Sequence, residues 1–213
     1  MSDPRTRLPA HPGVEIESDE TVWHGRFPLQ KVRFRHRRFD GAMSAPLTWE
    51  LWRRGRATAL LPYDPAADRV VLIEQFRLPA LAAGVAPVMT EVPAGLCEPG
   101  ESEEETMRRE LREEIGLDAD RLLPVGRFVL TPGGADEIVT LFAGRVTAPP
   151  ADRDGTAGLH GLAAEHEDIR LRVLDAPAAI EAAAAGAYPN SVCTIALLWL
   201  GLKREELRRA WTA

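Results

Sequence analysis

Cysteine is scarce in this sequence: Cys97 and Cys193 are the only two, they lie far apart, and they form no CxxC pattern. Neither a disulfide framework nor a zinc site is therefore indicated, and the reducing cytoplasm is the simplest location to expect. Residues 1–13 lack the apolar core of a secretion signal, and the most apolar run, 192–200, is too short to cross a bilayer. We expect a soluble cytoplasmic protein with no membrane partner.

Excess positive charge is also lacking, because the formal net charge is -6 and the pI is about 5.5. A chain of this charge has no general electrostatic footprint for nucleic acid, so an anionic ligand would need local cations or a metal. No GxGxxG pattern follows a predicted strand, which excludes the dinucleotide-binding class. The length of 213 residues suggests one sizeable domain, or a domain with a small appendage.

Hydrophobic patterning and turn residues divide the chain into predicted strands and helices. The predicted strands cover residues 14–23, 31–39, 47–52, 57–63, 69–76, 122–130, 138–146 and 167–174. The predicted helices cover residues 102–116, 177–186 and 191–208, with a Gly/Pro-broken connector at 80–90 and a loop at 147–164. Strands outnumber the long, separated helices, so we predict an α+β layer fold.

The predicted strand at 31–39 carries basic residues at alternating positions, Lys31, Arg33, Arg35 and Arg37. Alternation places their side chains on one side of the strand. Two interpretations stay open. The residues form either a charged edge or solvent face that blocks aggregation, or a basic rim for an anionic ligand.

Residues 95–117, GLCEPGESEEETMRRELREEIGL, concentrate negative charge in one loop and one helix. Eight glutamates and only three arginines lie between Glu98 and Glu114. Like charges at helical spacing destabilise a helix, so a solvated face is one interpretation and a bound cation is the other. Gly95 and Gly100 flank the loop, where glycine permits a positive φ or a close backbone approach.

Helical periodicity places Glu110, Glu113 and Glu114 on one side of this helix. The core stripe on the neighbouring face consists of Met107, Leu111 and Ile115. Crowded carboxylates near the core raise one another's pKa values unless a cation lies between them. Ligands made only of oxygen select a hard ion, which predicts Mg²⁺, with Mn²⁺ as a substitute.

The same stretch resembles the signature of the Nudix hydrolases. The nine constrained positions of that signature are all matched, by Gly95, Glu101, Arg109, Glu110, Leu111, Glu113, Glu114, Gly116 and Leu117. The resemblance implies a mixed β-sheet sandwiched between α-helices, and hydrolysis of a nucleoside diphosphate linked to another moiety with a divalent metal. It also implies that the signature forms a loop, a helix and a second loop.

The resemblance assigns roles to individual residues. Glu110 and Glu114 would be the principal metal ligands, with Glu113 and the backbone carbonyl of Ala94 assisting. Glu101 and Arg109 would pair and brace the loop against the helix, while Gly95 and Gly116 would be structural.

Three stretches outside the signature resemble the bacterial ADP-ribose pyrophosphatase subfamily: VVLIEQFR, TPGGADE and HGLAAEHEDIR. They imply that Arg77 approaches the substrate phosphates, Glu137 contacts the terminal ribose, Glu165 is the general base, and Glu167 supports a metal or the base. The expected substrate-binding set also includes Phe27, Leu96, Thr131 and Gly134. An ion pair for Arg77 and a plain hairpin turn at TPGGADE are the alternatives.

The expected reaction is Mg²⁺-dependent hydrolysis of ADP-ribose to AMP and ribose 5-phosphate. The run MSAPLTWELWRRG departs from the arginine-rich character of the subfamily, which keeps another sugar nucleotide such as GDP-mannose as the alternative substrate. In this run, Trp49 or Trp52 would stack on adenine or pack in a core. A non-catalytic ADP-ribose sensor is a further alternative, although its signature is typically eroded.

We predict two regions. Residues 1–55 would form an N-terminal antiparallel strand region for dimerisation, and residues 56–213 the hydrolase domain. The expected partners are a small-molecule nucleoside diphosphate sugar and a second copy of the chain.

Overall fold

The computed structural model describes residues 7–162 and 166–212. The chain divides into two compact units, the first made of Met1–Arg56 with Val129–Ile138 and the second of Ala57–Phe128 with Val139–Ala213. Within the described ranges, no helix combines the length and the apolar character needed to cross a membrane.

Among the described residues, strands outnumber helices and five strands precede the first helix, in the α+β manner that the sequence predicts. The strands are β1 Val14–His24, β2 Pro28–His36, β3 Leu47–Trp52, β4 Arg56–Asp64, β5 Arg69–Phe76, β6 Val88–Glu91, β7 Ala94–Leu96, β8 Arg121–Val129, β9 Ile138–Arg145, β10 Thr156–His160 and β11 Ile169–Asp175. The helices are α1 Leu78–Ala82, α2 Glu103–Ile115, α3 Ala176–Ala184 and α4 Ser191–Thr212.

The first unit contains an antiparallel three-stranded sheet in the order β1-β2-β3. Because β2 is the central strand of this sheet, its basic residues do not lie at a sheet edge, and the solvent-face form of that interpretation is left. Arg33 and Arg35 instead bind the same Glu17 carboxylate on β1, with N–O distances of 2.7 and 2.6 Å. The single Glu17 carboxylate offsets one of the two positive charges, and both guanidinium groups remain exposed, as on a solvated charged face.

The second unit contains a sheet in the order β10-β11-β5-β4-β9-β8, with β6 paired to β5 and β7 paired to β4. The predicted turn between β4 and β5 forms around Asp64. Its Oδ1 accepts hydrogen bonds from the backbone N–H groups of Ala66 and Ala67, both at 3.0 Å, as expected for an Asx turn.

Helices cover both faces of this sheet. On one face, Met107, Leu111 and Ile115 of α2 are fully buried in a cluster that includes Leu60 of β4. On the other face, the ring of Tyr63 lies 6.5 Å from the ring of Trp211 in α4. Leu60 and Tyr63 are three positions apart on one strand, so they point to opposite faces. The sandwich architecture is confirmed.

Two predicted irregular segments contain short elements. The connector at 80–90 includes the end of α1 and the strand β6, and the loop at 147–164 includes β10. Both strands are held by hydrogen bonds to distant partners, β6 to β5 and β10 to β11. Local patterning cannot reveal such strands, because their stability comes from pairing rather than from alternation.

Candidate active site

Helix α2 begins and ends at residues suited to those positions. The Ser102 hydroxyl accepts a hydrogen bond from the Glu105 N–H at 3.2 Å, and the Glu105 carboxylate accepts one from the Ser102 N–H at 2.9 Å, which is a capping box. Gly116 ends the helix in the left-handed region with φ of +67°. Both ends are thus defined locally, and the carboxylates between them have a set register.

Gly95 provides the close backbone approach next to Glu110. A Cβ built on residue 95 would lie 1.9 Å from both Cδ and Oε1 of Glu110, so only glycine leaves room for that carboxylate. Gly95 does not need a positive φ, whereas Gly100 does, with φ of +93°. Burial raises the pKa of Glu110 even though Arg109 opposes the shift.

Glu114 is the most enclosed carboxylate of the helix, with only 3% of its surface exposed. One of its oxygens accepts a hydrogen bond from the Ala94 N–H at 2.9 Å. Burial raises the pKa of Glu114 to about 8 despite that bond, and the charges of Glu110 and Glu167 add to the shift. The anion is therefore unfavourable in this position unless positive charge accompanies it.

Arg109 binds three carboxylates at once. Its Nε and Nη2 donate to the two oxygens of Glu101, both at 3.0 Å, in the paired geometry that the resemblance implies. Its Nη1 donates to Glu110 at 2.9 Å and to Glu113 at 3.0 Å. The bond to Glu101 is the main reason that the pKa of Arg109 is raised. One guanidinium thus positions the loop and two acidic side chains of α2.

Arg77 follows β5 and forms a two-point ion pair with Glu91 of β6, at 3.1 and 2.8 Å. Burial lowers the pKa of Arg77, but the Glu91 carboxylate, together with the charges of Glu114 and Glu167, outweighs burial and raises it. The ion pair that we considered as the alternative is present. Arg77 also lies within the electrostatic influence of the acidic residues.

The loop before β11 places Glu167 at the same cluster. The Glu167 carboxylate accepts a hydrogen bond from the Leu162 N–H at 3.1 Å, and its charge raises the pKa values of Glu110 and Glu114. Glu165, predicted as the general base, lies outside the described residues.

The second unit therefore brings together the acidic residues of α2, Gly95, Ala94, Arg77 and Glu167. The carboxylates of Glu110, Glu114 and Glu167 fit a divalent cation on two observations: their donor atoms are oxygens, and burial raises the pKa values of Glu110 and of the more enclosed Glu114. Within residues 7–162 and 166–212, no three acidic, histidine or cysteine side chains are already grouped as metal ligands.

One polar residue near this cluster, Thr58, was not predicted from the sequence. Thr58 on β4 is fully buried, and its Oγ1 has no hydrogen-bond partner among the described residues. Its Cα partner on β7 is Gly95, so both residues face α2. Leu96, the next residue of β7, is half-buried and pairs with Ala57.

The first unit holds a separate set of predicted residues around Arg54. The Arg54 guanidinium lies 4.2 Å from the centroid of the Phe27 ring and 4.8 Å from that of Trp52. It also donates to the Glu137 carboxylate at 2.8 Å. Sequence reasoning missed Arg54, and its only signal was the Arg-Arg pair directly after Trp52.

The turn TPGGADE is held in place by Asp136, which sequence reasoning also missed. Its carboxylate accepts hydrogen bonds from the backbone N–H groups of Arg54 and Gly55, at 2.6 and 3.1 Å, and from the Arg53 Nε at 2.7 Å. Within the turn, the Thr131 carbonyl accepts a bond from the Gly134 N–H at 3.1 Å. Two of the predicted substrate-contact residues, Thr131 and Gly134, therefore lie within this hairpin turn.

The aromatic residues considered for a core are exposed. Trp49 is 53% exposed and Trp52 is 42% exposed, so the prediction that they pack in a core is wrong for the chain taken by itself. Their edge-to-face contacts are with Phe34 and Phe27, respectively.

The fold, the glycine-bounded acidic helix and its arginine define a Nudix hydrolase. The NUDIX domain family model matches residues 53–190, and the chain belongs to this family.

Individual relatives refine the comparison. The chain is 43% identical over 198 residues to the ADP-ribose pyrophosphatase of Escherichia coli strain K12, covering 93% of this chain and 92% of the relative. It is 36% identical over 118 residues to the GDP-mannose pyrophosphatase of Yersinia pestis, covering 55% of this chain and 59% of the relative. A solved structure described as an ADP compounds hydrolase has a TM-score of 0.66 at 20% identity, covers 95% of this chain and 98% of its own, and supports the fold.

Proposed function

We propose that this protein hydrolyses the diphosphate bond of ADP-ribose to AMP and ribose 5-phosphate, with Mg²⁺ as the cofactor and Mn²⁺ as a substitute. The observation that carries the proposal is the set of enclosed carboxylates on α2, next to Gly95, in a chain that is 43% identical to an ADP-ribose pyrophosphatase along nearly its whole length.

Glu110 and Glu114, helped by Glu113, Glu167 and the Ala94 carbonyl, would hold the metal. When bound, a divalent cation neutralises phosphate charge and acidifies water. Glu101 is bound to Arg109, and that arginine orients Glu110 and Glu113 before substrate arrives. Such preorganised charge is the main source of rate acceleration in phosphoryl transfer.

Arg77 would offset the remaining charge of the diphosphate, and its ion pair with Glu91 limits the orientations of the guanidinium. Glu165 would take a proton from the attacking water as the water oxygen bonds to one phosphorus. The bond from that phosphorus to the bridging oxygen breaks, and its electron pair leaves with the other phosphate.

The residues of the first unit would recognise the two ends of the substrate. Arg54, stacked over Phe27, offers planar surfaces of the kind on which a purine base stacks. Glu137 would accept hydrogen bonds from the hydroxyls of the terminal ribose, while Thr131 and Gly134 would supply further contacts. Leu96 of the second unit would also contact the substrate.

Residues 1–55 would also mediate assembly of a homodimer, with residues 56–213 forming the hydrolase domain. The exposed Trp23, Trp49 and Trp52 support this assignment, because large exposed aromatic side chains are typical of interfaces. Light scattering coupled to size exclusion should give twice the chain mass of 23.4 kDa. A cytoplasmic location belongs to the same proposal.

GDP-mannose is the second candidate substrate, and the Yersinia relative favours it over part of the chain. The match covers only 55% of this chain, compared with 93% for the ADP-ribose pyrophosphatase of Escherichia coli. We therefore place ADP-ribose first.

A substrate panel tests the proposal directly. Phosphate release, after phosphatase treatment of the products, should be measured with ADP-ribose, GDP-mannose, ADP-glucose, NADH and diadenosine polyphosphates, in Mg²⁺ and in EDTA. The expected result is a preference for ADP-ribose that disappears in EDTA. Preference for another sugar nucleotide would overturn the assignment of ADP-ribose as the substrate. No turnover of any compound would favour the alternative of a non-catalytic ADP-ribose sensor.

A further inference from the structure

Gln75, near the end of β5, is a polar residue whose hydrogen-bonding capacity is unmet. Its Oε1 is buried and has no partner within residues 7–162 and 166–212. The residue as a whole is only partly buried, so its exposure falls on atoms other than Oε1. A buried acceptor without a partner destabilises a folded protein. Such a cost needs a reason, and functional sites commonly supply one.

The register of the sheet places Gln75 on the face that carries the acidic helix. Gln75 is paired with Ile169 of β11, and Ile73 with Leu171. Since Ile73, Leu171 and Ile169 all belong to the buried cluster that includes Met107, Leu111 and Ile115 of α2, Gln75 lies on the same side. Gln75 therefore follows the apolar Ile73 on the same face of β5, at the end of the strand that leads to Arg77.

Charged residues of both signs surround this position. Arg77 is two residues further along, and its partner Glu91 is the residue opposite Ile73 on β6. Across the sheet, Glu167 is two residues before Ile169, and its charge reaches both Arg77 and Glu114. A neutral amide between an arginine and a set of carboxylates can donate to an anion without adding negative charge.

We propose that Gln75 is a substrate-binding residue whose Nε2 donates a hydrogen bond to a non-bridging oxygen of the diphosphate. This inference rests on the proposed function and adds a residue that was not among the predicted substrate contacts. Because Oε1 lies on the buried side of the amide, Nε2 is the polar atom left to meet the ligand.

Two substitutions separate this role from packing. Gln75→Met keeps the length of the side chain and removes both polar atoms, while Gln75→Glu is isosteric and replaces the donor by a carboxylate oxygen. Ile73→Met is the matched control, since it introduces the same residue on the same strand and the same face. A volume-conserving apolar exchange of this kind is usually tolerated.

The measurement is the dissociation constant of α,β-methylene ADP-ribose, a non-hydrolysable analogue, by calorimetry in Mg²⁺, together with the melting temperature of each ligand-free protein. We expect Gln75→Met to weaken binding about tenfold and Gln75→Glu to weaken it further, because a carboxylate repels the diphosphate. Ile73→Met should bind within about twofold of wild type. Ligand-free Gln75→Met should melt no lower than wild type, since the unpaired acceptor is gone.

Binding within about twofold of wild type by Gln75→Met or by Gln75→Glu would overturn the inference. So would an equal loss in Ile73→Met, which would assign the effect to packing. Failure of the wild-type protein to bind the analogue or to turn over ADP-ribose would overturn the proposed function and this inference together. Turnover by wild type with unchanged binding in the Gln75 variants would overturn this inference alone.

Discussion

The backbone of Gly95 lies directly against the carboxylate of Glu110, with no room for even one carbon between them. A Cβ on residue 95 would lie 1.9 Å from the Glu110 Cδ. The Glu110 side chain of α2 can therefore occupy its position only because residue 95 of β7 has no side chain.

Gly95→Ala should displace the Glu110 carboxylate and lower kcat/KM by about a hundredfold, the order of loss expected when a reacting group is misplaced by about 1 Å. The clash is with the end of a flexible side chain, so the melting temperature should fall by only a few degrees. Gly13→Ala is the control, because the nearest atoms to its new Cβ are side-chain atoms of His11 at 3.3 Å. Wild-type kinetics in Gly95→Ala would contradict the role of this contact.

Glu114→Gln should lower metal-dependent turnover by at least about a hundredfold, since a neutral amide neutralises a cation less well than a carboxylate does. Its fold should persist, because the amide oxygen can still accept the hydrogen bond from the Ala94 N–H. Steady-state rates in Mg²⁺ and thermal melting in EDTA together measure both effects. Near wild-type activity would overturn the assignment of Glu114 as a ligand.

Arg109→Lys should reduce kcat by about tenfold or more, because lysine cannot reproduce the contacts to Glu101, Glu110 and Glu113. The neighbouring Arg108 contacts Glu104 and the Ala119 carbonyl, away from that group. Arg108→Lys should consequently change kcat by less than about twofold. Equal losses in the two variants would indicate a general effect on the helix rather than positioning of its carboxylates.

Glu165→Gln should lower kcat by about a hundredfold or more and leave the affinity for substrate little changed, as expected for the loss of a general base. Single-turnover rates and the dissociation constant of a non-hydrolysable analogue separate these quantities. A large loss of binding with an unchanged rate of the bound complex would count against the base role.

Acid stability should depend on Asp68, whose carboxylate binds Arg204 of α4 and accepts a hydrogen bond from the Tyr63 hydroxyl at 2.8 Å. The bond to Arg204 is the main reason that the pKa of Asp68 is lowered from 3.8. A carboxylate with a lowered pKa stabilises the fold above its unfolded value, and the contribution is lost as the pH falls through the folded value. The decline should therefore begin near pH 4.

Asp68→Asn should lower the free energy of unfolding by about 1–3 kcal/mol at pH 6 and by less near pH 3. Asparagine tolerates the positive φ of +57° at this position, so the backbone should be unaffected. Urea unfolding at the two pH values measures the difference. Asp118→Asn is the control, because that side chain is 74% exposed and its ion pair with Arg112 contributes little. A constant effect of Asp68→Asn across this range would refute the linkage.

Local signals account for the parts that could be predicted from the sequence. Ser102 and Gly116 bound α2 as predicted, and Met107, Leu111 and Ile115 form its buried stripe. The strands β6 and β10 could not be predicted, since each is held by a partner far away in the chain.

The amino-acid sequence alone determined the chemistry of the acidic helix, because the register of Glu110, Glu113 and Glu114 follows from helical geometry and from capping residues within one segment. Only the tertiary structure decided what surrounds that helix: Gly95 against Glu110, Arg77 bound to Glu91, and an amide without a partner at Gln75. The first two relationships join residues that belong to different elements of the fold. The pairing that creates them is set by packing of the whole sheet, which no local pattern records.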